Sequence, residues 1–92
     1  MPFEIEVSKE AEIQIFEAYF YYYEISESLA KQFNSEVINV IDYLEENPEY
    51  FQNRYREIKI VFLKKFPYSI HYITKSKTVF VLKVLHQKQL YK

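Results

Sequence analysis

His71 and His86 are the only imidazoles in the chain, and there is no cysteine. A three-histidine metal site is therefore impossible, thiolate zinc sites cannot form, and no other residues carry metal-ligand spacing. The missing thiols also exclude a disulfide framework and a cysteine nucleophile. Ser69 and His71 stand two apart in an extended segment and share one face, as a nucleophile and its base would. The only aspartate, Asp42, would have to orient that imidazole from a helix. Matching residue types without mutual geometry are common by chance, so no triad is expected. Glu45, Glu46 and Glu49 cluster where paired carboxylates could act as acid and base, but they read more simply as a solvated helix end. The chain also has no glycine, so the left-handed turns and close backbone approach of phosphate-cradling loops are absent, and nucleotide-binding chemistry drops out with them.

Ninety-two residues make one domain spanning 1–92. At that size folding removes only about 60 to 65% of the unfolded chain's surface, which leaves little room for an enclosed substrate cavity. Met1 to Val7 carries two glutamates and no basic leader, and no apolar run approaches the roughly 20 residues that span a bilayer, so a cytoplasmic protein is expected. Charge is divided along the chain. Residues 1–50 hold two basic and twelve acidic residues, 2 − 12 = −10; residues 51–92 hold ten basic residues and Glu57, 10 − 1 = +9. Self-neutralisation within one fold is the plain reading of such a split. The sharper reading is two faces with different partners, the basic one addressing nucleic acid or an acidic protein.

These side chains must be positioned by the elements that the hydrophobic pattern specifies. Phe3, Ile5 and Val7 alternate with Glu4 and Glu6, predicting a short first strand. Ser8 can cap a helix whose first turns hold Glu10 and Glu12, with Ala11, Ile15, Ala18 or Tyr19, and Tyr22 as its buried stripe. Ser26 or Ser28 can cap a second helix with Ala30, Phe33, Val37, Val40 or Ile41, and Leu44 inward, ending near Asn47 because Pro48 disfavours helix in the residue before it. The helices are placed at about 8–23 and 27–46, as an antiparallel hairpin. Tyr55 to Phe66 is extended and interrupted by Pro67; Tyr68 to Ile73 and Thr78 to Leu85 are the clearest strands. Lys75, Ser76 and Lys77 join those two, and without glycine the turn is expected to exceed two residues. The predicted class is α+β: an N-terminal strand, then a helical hairpin packed on a C-terminal antiparallel sheet.

Tyr19, Phe20, Tyr21, Tyr22 and Tyr23 are five consecutive aromatics on a predicted helix. At about 100° per residue they point all round it, while the core takes one stripe, so some rings must face outward. Tyrosine hydroxyls are comfortable in water at the rim of a core, yet a cluster of exposed rings also makes a surface suited to a partner.

Arg54-Tyr55-Arg56, then Lys64-Lys65-Phe66-Pro67-Tyr68-Ser69-Ile70-His71-Tyr72, then the strand Val79 to Leu85 followed by His86-Gln87-Lys88, resemble the C-terminal half of toxins of the RelE/ParE superfamily, most closely the ParE-like branch. The helical hairpin and Asn47-Pro48 fit as well, so the likeness covers nearly the whole chain. It implies the toxin of a type II toxin–antitoxin system of the plasmid-stabilisation, growth-inhibiting kind, neutralised by a cognate antitoxin whose C-terminal segment wraps around it, with no cofactor.

Two activities follow from the resemblance. RelE relatives cleave mRNA on the ribosome without a metal, which requires acid and base groups at the 2′-hydroxyl and leaving oxygen and fixed cations at the phosphate. For that chemistry the resemblance offers Arg56 and Lys65 as cations and His86 and Tyr91 as proton-exchanging groups, with Arg54, Lys64, Lys88, Tyr21 and Tyr23 binding target or antitoxin. ParE relatives poison DNA gyrase. Gln89 stands where the nucleases commonly carry an arginine, the acidic and proline residues usual beyond it are missing, the sequence stops at Lys92, and the net charge is −1 rather than basic. These departures favour the gyrase-directed branch. An antitoxin-binding module without toxicity, in which Phe66 and Tyr68 are core and Pro67 is a strand breaker, is the plainest alternative; a homodimer is left open.

Overall fold

Ser8 starts the first helix as its side chain predicts, accepting a hydrogen bond from the Ala11 amide at 3.0 Å. The computed structural model describes residues 2–51 and 53–89. Strand β1 (Glu4–Val7) leads into helix α1 (Lys9–Ile25) and helix α2 (Glu27–Glu46), followed by strands β2 (Asn53–Tyr55), β3 (Ile58–Phe62), β4 (Tyr68–Lys75) and β5 (Thr78–His86), then a 3-10 turn, Gln87–Gln89. Ser26 alone joins the helices: its amide bonds the Tyr22 carbonyl at 2.8 Å, ending α1, and its hydroxyl accepts from Leu29 at 3.3 Å, starting α2. Asn47 closes α2 onto the Tyr43 carbonyl ahead of Pro48.

The sheet order is β1-β5-β4-β3-β2. Pairing is antiparallel from β2 through β5, as expected, but β1 runs parallel to β5, from Glu4 opposite Thr78 to Val7 opposite Val81. The chain crosses from β1 over one sheet face through both helices, enters at the far edge, and returns by three reversals that set β5 beside β1. Four strands follow the helices: besides the expected extended segment, which forms β3, a short strand β2 precedes it, joined by a turn at Arg56 and Glu57 in which Arg56 takes φ 52°. A second correction concerns Ser76 and Lys77. They form a two-residue turn between Lys75 and Thr78 with φ 49° and 69°, the type I′ signature, reached without glycine.

Both helices bury the predicted stripes. Ala11, Ala18 and Tyr22 of α1 and Ala30, Phe33, Val37 and Leu44 of α2 meet Val61, Ile70, Tyr72, Val79, Val81 and Val84 of the sheet. One end of this core is aromatic: Tyr22, Phe33, Phe66 and Tyr68 sit with ring centroids 4.9 to 6.2 Å apart, mostly edge to face. Tyr72 is fully buried, and its hydroxyl donates to the Pro48 carbonyl at 2.5 Å, tying the exit of α2 to the sheet centre. No described helix is long and apolar enough to cross a membrane.

Candidate functional site

The cations singled out from the sequence occupy separate places on the sheet. Arg54 is exposed on β2, its guanidinium 5.7 Å from the Phe62 ring centroid, and Arg56 is exposed at the β2–β3 turn. Lys64 and Lys65 lie in the link between β3 and β4. The Glu36 carboxylate on α2 accepts from the Lys64 amide and, at 3.3 Å, from the Lys65 amide. That clamp fixes the backbone of the basic pair and leaves both ammonium groups free to face solvent. Glu36 was invisible as a functional residue in the sequence, where it is one acid on the polar side of a helix.

His86, Lys88 and Tyr21 do come together. With Tyr22, Ile25, Pro67 and Tyr68 they line an open recess of about 500 Å³ where the end of α1 faces the end of β5. The His86 ring sits edge-on to Tyr68, centroids 5.1 Å apart, and its Nδ1 accepts from the Lys88 amide at 3.1 Å. Burial raises the phenol pKa of Tyr68, with a smaller contribution from Tyr21, and burial likewise raises that of Tyr22, so neither is an anion at neutral pH. Tyr23, also 45% exposed, lies on the outward side of α1 and is not part of this recess. Tyr91 lies outside the described residues.

Ser69 and His71 are paired, with Ser69 Oγ 2.9 Å from His71 Nε2, but both are buried and no groove reaches them. His71 Nδ1 has no hydrogen-bond partner among the described residues, and Asp42 is exposed on α2, so no triad assembles. Burial, and then the nearby Lys83 charge, hold the imidazole below its ordinary pKa of 6.5. Glu46 and Glu49 are exposed, as a solvated helix end should be. Among the described residues no cluster of histidine, cysteine or carboxylate could hold a metal.

A second concave feature is an open groove of about 1130 Å³ between α2 and the β3 side of the sheet. Lys31, Lys64 and Lys65 stand along it, with Tyr43, Tyr50, Phe51 and Phe62 supplying much of its apolar wall. Tyr43, Tyr50 and Phe51 contact one another edge to face, centroids 5.0 to 6.1 Å apart. Between described residues the one ion pair is Lys31 with Glu27, exposed at 3.4 Å, so the opposed charges of the two halves are not consumed in internal contacts.

A helical hairpin on one face of a mostly antiparallel sheet, with open grooves rimmed by cations and aromatics, defines a small α+β domain. The chain belongs to the ParE toxin family of type II toxin–antitoxin systems, parDE, whose family model matches residues 5–91. Its fold is similar to a solved structure described as the chromosomal ParDE toxin–antitoxin system from P. aeruginosa. That match has TM-score 0.80 and 14% identity, and covers 91% of this chain and 95% of the other. No curated protein matches the chain.

Proposed function

We propose that this toxin inhibits DNA gyrase by binding it, and that a cognate antitoxin neutralises it by occupying the groove between α2 and β3. The observation that carries the reading is the dispersal of the groups a nuclease would need to converge. Arg56 sits at the β2–β3 turn, whereas His86 ends β5, two strands away and toward the opposite end of the sheet. Two inter-strand spacings of about 4.8 Å and five strand residues of about 3.3 Å place their backbones roughly 19 Å apart before the turn itself is counted. No hydrogen bond or ion pair to a described residue holds the Arg56 guanidinium. Transition-state stabilisation depends on preorganised donors aimed at one developing charge, and dispersed, exposed cations do not supply it. The same cations suit adhesion to an acidic or DNA-bearing surface, where each contributes a little.

The groove has the mixed lining that suits a linear partner segment: aromatic walls for apolar side chains and a lysine rim for carboxylates. Toxicity on expression tests the binding mechanism. Arg56→Ala, Lys65→Ala and His86→Ala should each weaken growth inhibition a few-fold and combine additively. Abolition of toxicity by His86→Ala alone, with folding intact, would instead identify a catalytic group.

A further inference from the structure

Helix α1 carries two apolar stripes on opposite sides. One is the core stripe of Ala11, Ala18 and Tyr22; the other consists of Ile13, Phe16, Phe20 and Tyr23, which are 49, 62, 47 and 45% exposed. Their spacings of three, four and three residues are those of alternating a and d positions in a heptad, the pattern of a seam between two helices. The rings already order one another: Phe16 and Phe20 are edge to face at 4.6 Å, and Phe20 and Tyr23 at 6.5 Å. Glu10, Glu17 and Glu24 fall seven residues apart, in the e column beside this seam, and all three are exposed. Glu12 and Tyr19 occupy the g column on its other side.

We infer that the outward face of α1 is a docking seam for one helix of another protein, bearing apolar residues at its own a and d positions and Lys or Arg where it meets Glu10, Glu17 and Glu24. The charge column selects the occupant. In an antiparallel pair of identical seams e faces e′, setting three glutamates against three. In a parallel pair e faces g′, setting them against Glu12 and Tyr19. Neither arrangement offers an attractive pair, so self-association through this face is disfavoured, and a basic-flanked helix gains at each of the three positions. The seam is separate from the groove between α2 and β3, so its occupancy is independent of where the antitoxin's linear segment binds.

Two synthetic 18-residue helical peptides with leucine at a and d, one flanked by lysine and the other by glutamate, are the probes. Binding to the full chain is followed by fluorescence anisotropy of the labelled peptide. The lysine-flanked peptide should bind about tenfold or more tightly than the glutamate-flanked one, and the advantage should shrink as salt rises. Glu10→Lys, Glu17→Lys and Glu24→Lys together should invert the preference. Phe16→Ser, at a position that is largely exposed, should weaken both peptides with little loss of thermal stability. Equal affinity for the two peptides, no binding of either, or sedimentation as a dimer that Phe16→Ser dissociates would each overturn the inference.

Discussion

Ser8 Oγ donates to the Leu82 carbonyl at 2.8 Å while accepting from the Ala11 amide at 3.0 Å, so the residue that starts α1 also holds the irregular point of β5. The register puts His71 opposite Lys83 and Tyr72 opposite Val81, leaving Leu82 as the extra residue of a bulge. The Val84 amide beyond it is satisfied by the Gln14 side chain at 2.7 Å. Two polar side chains of the first helix thus complete hydrogen bonding that the strand ladder leaves open, and they set how α1 lies on the sheet.

Ser8→Ala should therefore cost more than an ordinary helix cap. Loss of the cap is worth about 1 kcal/mol, and the partly buried Leu82 carbonyl left without its donor adds about 1 kcal/mol more. Urea unfolding should show a loss of roughly 2 kcal/mol with an unchanged slope. A loss below about 0.5 kcal/mol would mean that the bulge finds water.

Phe66 tests whether the Phe-Pro-Tyr segment is structural. Its ring is 6% exposed and closes the aromatic end of the core, so Phe66→Ala should destabilise by about 3 to 5 kcal/mol. Toxicity should then fall in step with the folded fraction. Pro67 is exposed, with its carbonyl bonded to the Gln87 amide at 2.8 Å, and replacing it with Ala should leave that bond in place.

Protonation of His71 should weaken the fold in acid. Its folded pKa lies below the unfolded value of 6.5, so the unfolded chain binds the proton first as pH falls. The stability it contributes is complete above about pH 6.5 and is lost progressively down to the folded pKa, with a slope of at most about 1.4 kcal/mol per pH unit. Ser69, Ile60 and Lys83 are its immediate neighbours along and across the strands, and none offers a carboxylate to the cation. Denaturation midpoints between pH 7 and pH 5 should drop for the wild type and stay nearly flat for His71→Phe.

The Ser76-Lys77 turn holds two non-glycine residues at positive φ, where Asn-Gly is better suited. Ser76→Asn with Lys77→Gly should raise stability by about 0.5 to 2 kcal/mol. A lower melting temperature would show that the lysine side chain is engaged in the folded state.

Much of this fold was legible because it is written locally. The core stripes of both helices, their serine caps and the stop before Pro48 each depend on residues within a turn or two, and Phe66 is buried in the core with Tyr68 half-buried against it. The parallel pairing of β1 with β5 joins segments more than seventy residues apart and leaves no local pattern. The turns at Arg56 and at Ser76-Lys77 were hidden for the opposite reason, since both use residues that ordinarily avoid positive φ. Of the candidate site, Tyr21, His86 and Lys88 were each recognisable, but their meeting depends on the end of α1 reaching the end of β5. The Glu36 clamp on the Lys64 and Lys65 amides depends on α2 lying beside the link. The outward rings at Tyr21 and Tyr23 followed from the crowding of five aromatics on one helix, whereas the matching pair Ile13 and Phe16 became significant only once α1 showed which side it buries.

Whether the toxin acts by binding gyrase, as proposed, or by cutting RNA is tested with purified components. The chain is added in parallel to gyrase with supercoiled plasmid and to ribosomes programmed with mRNA, and both nucleic acids are inspected for breaks. Gyrase-dependent DNA breaks with intact mRNA are expected, with activity that survives His86→Ala at a few-fold reduced level. Codon-specific mRNA cuts that disappear in His86→Ala or Tyr91→Phe, with the plasmid unbroken, would contradict the proposal.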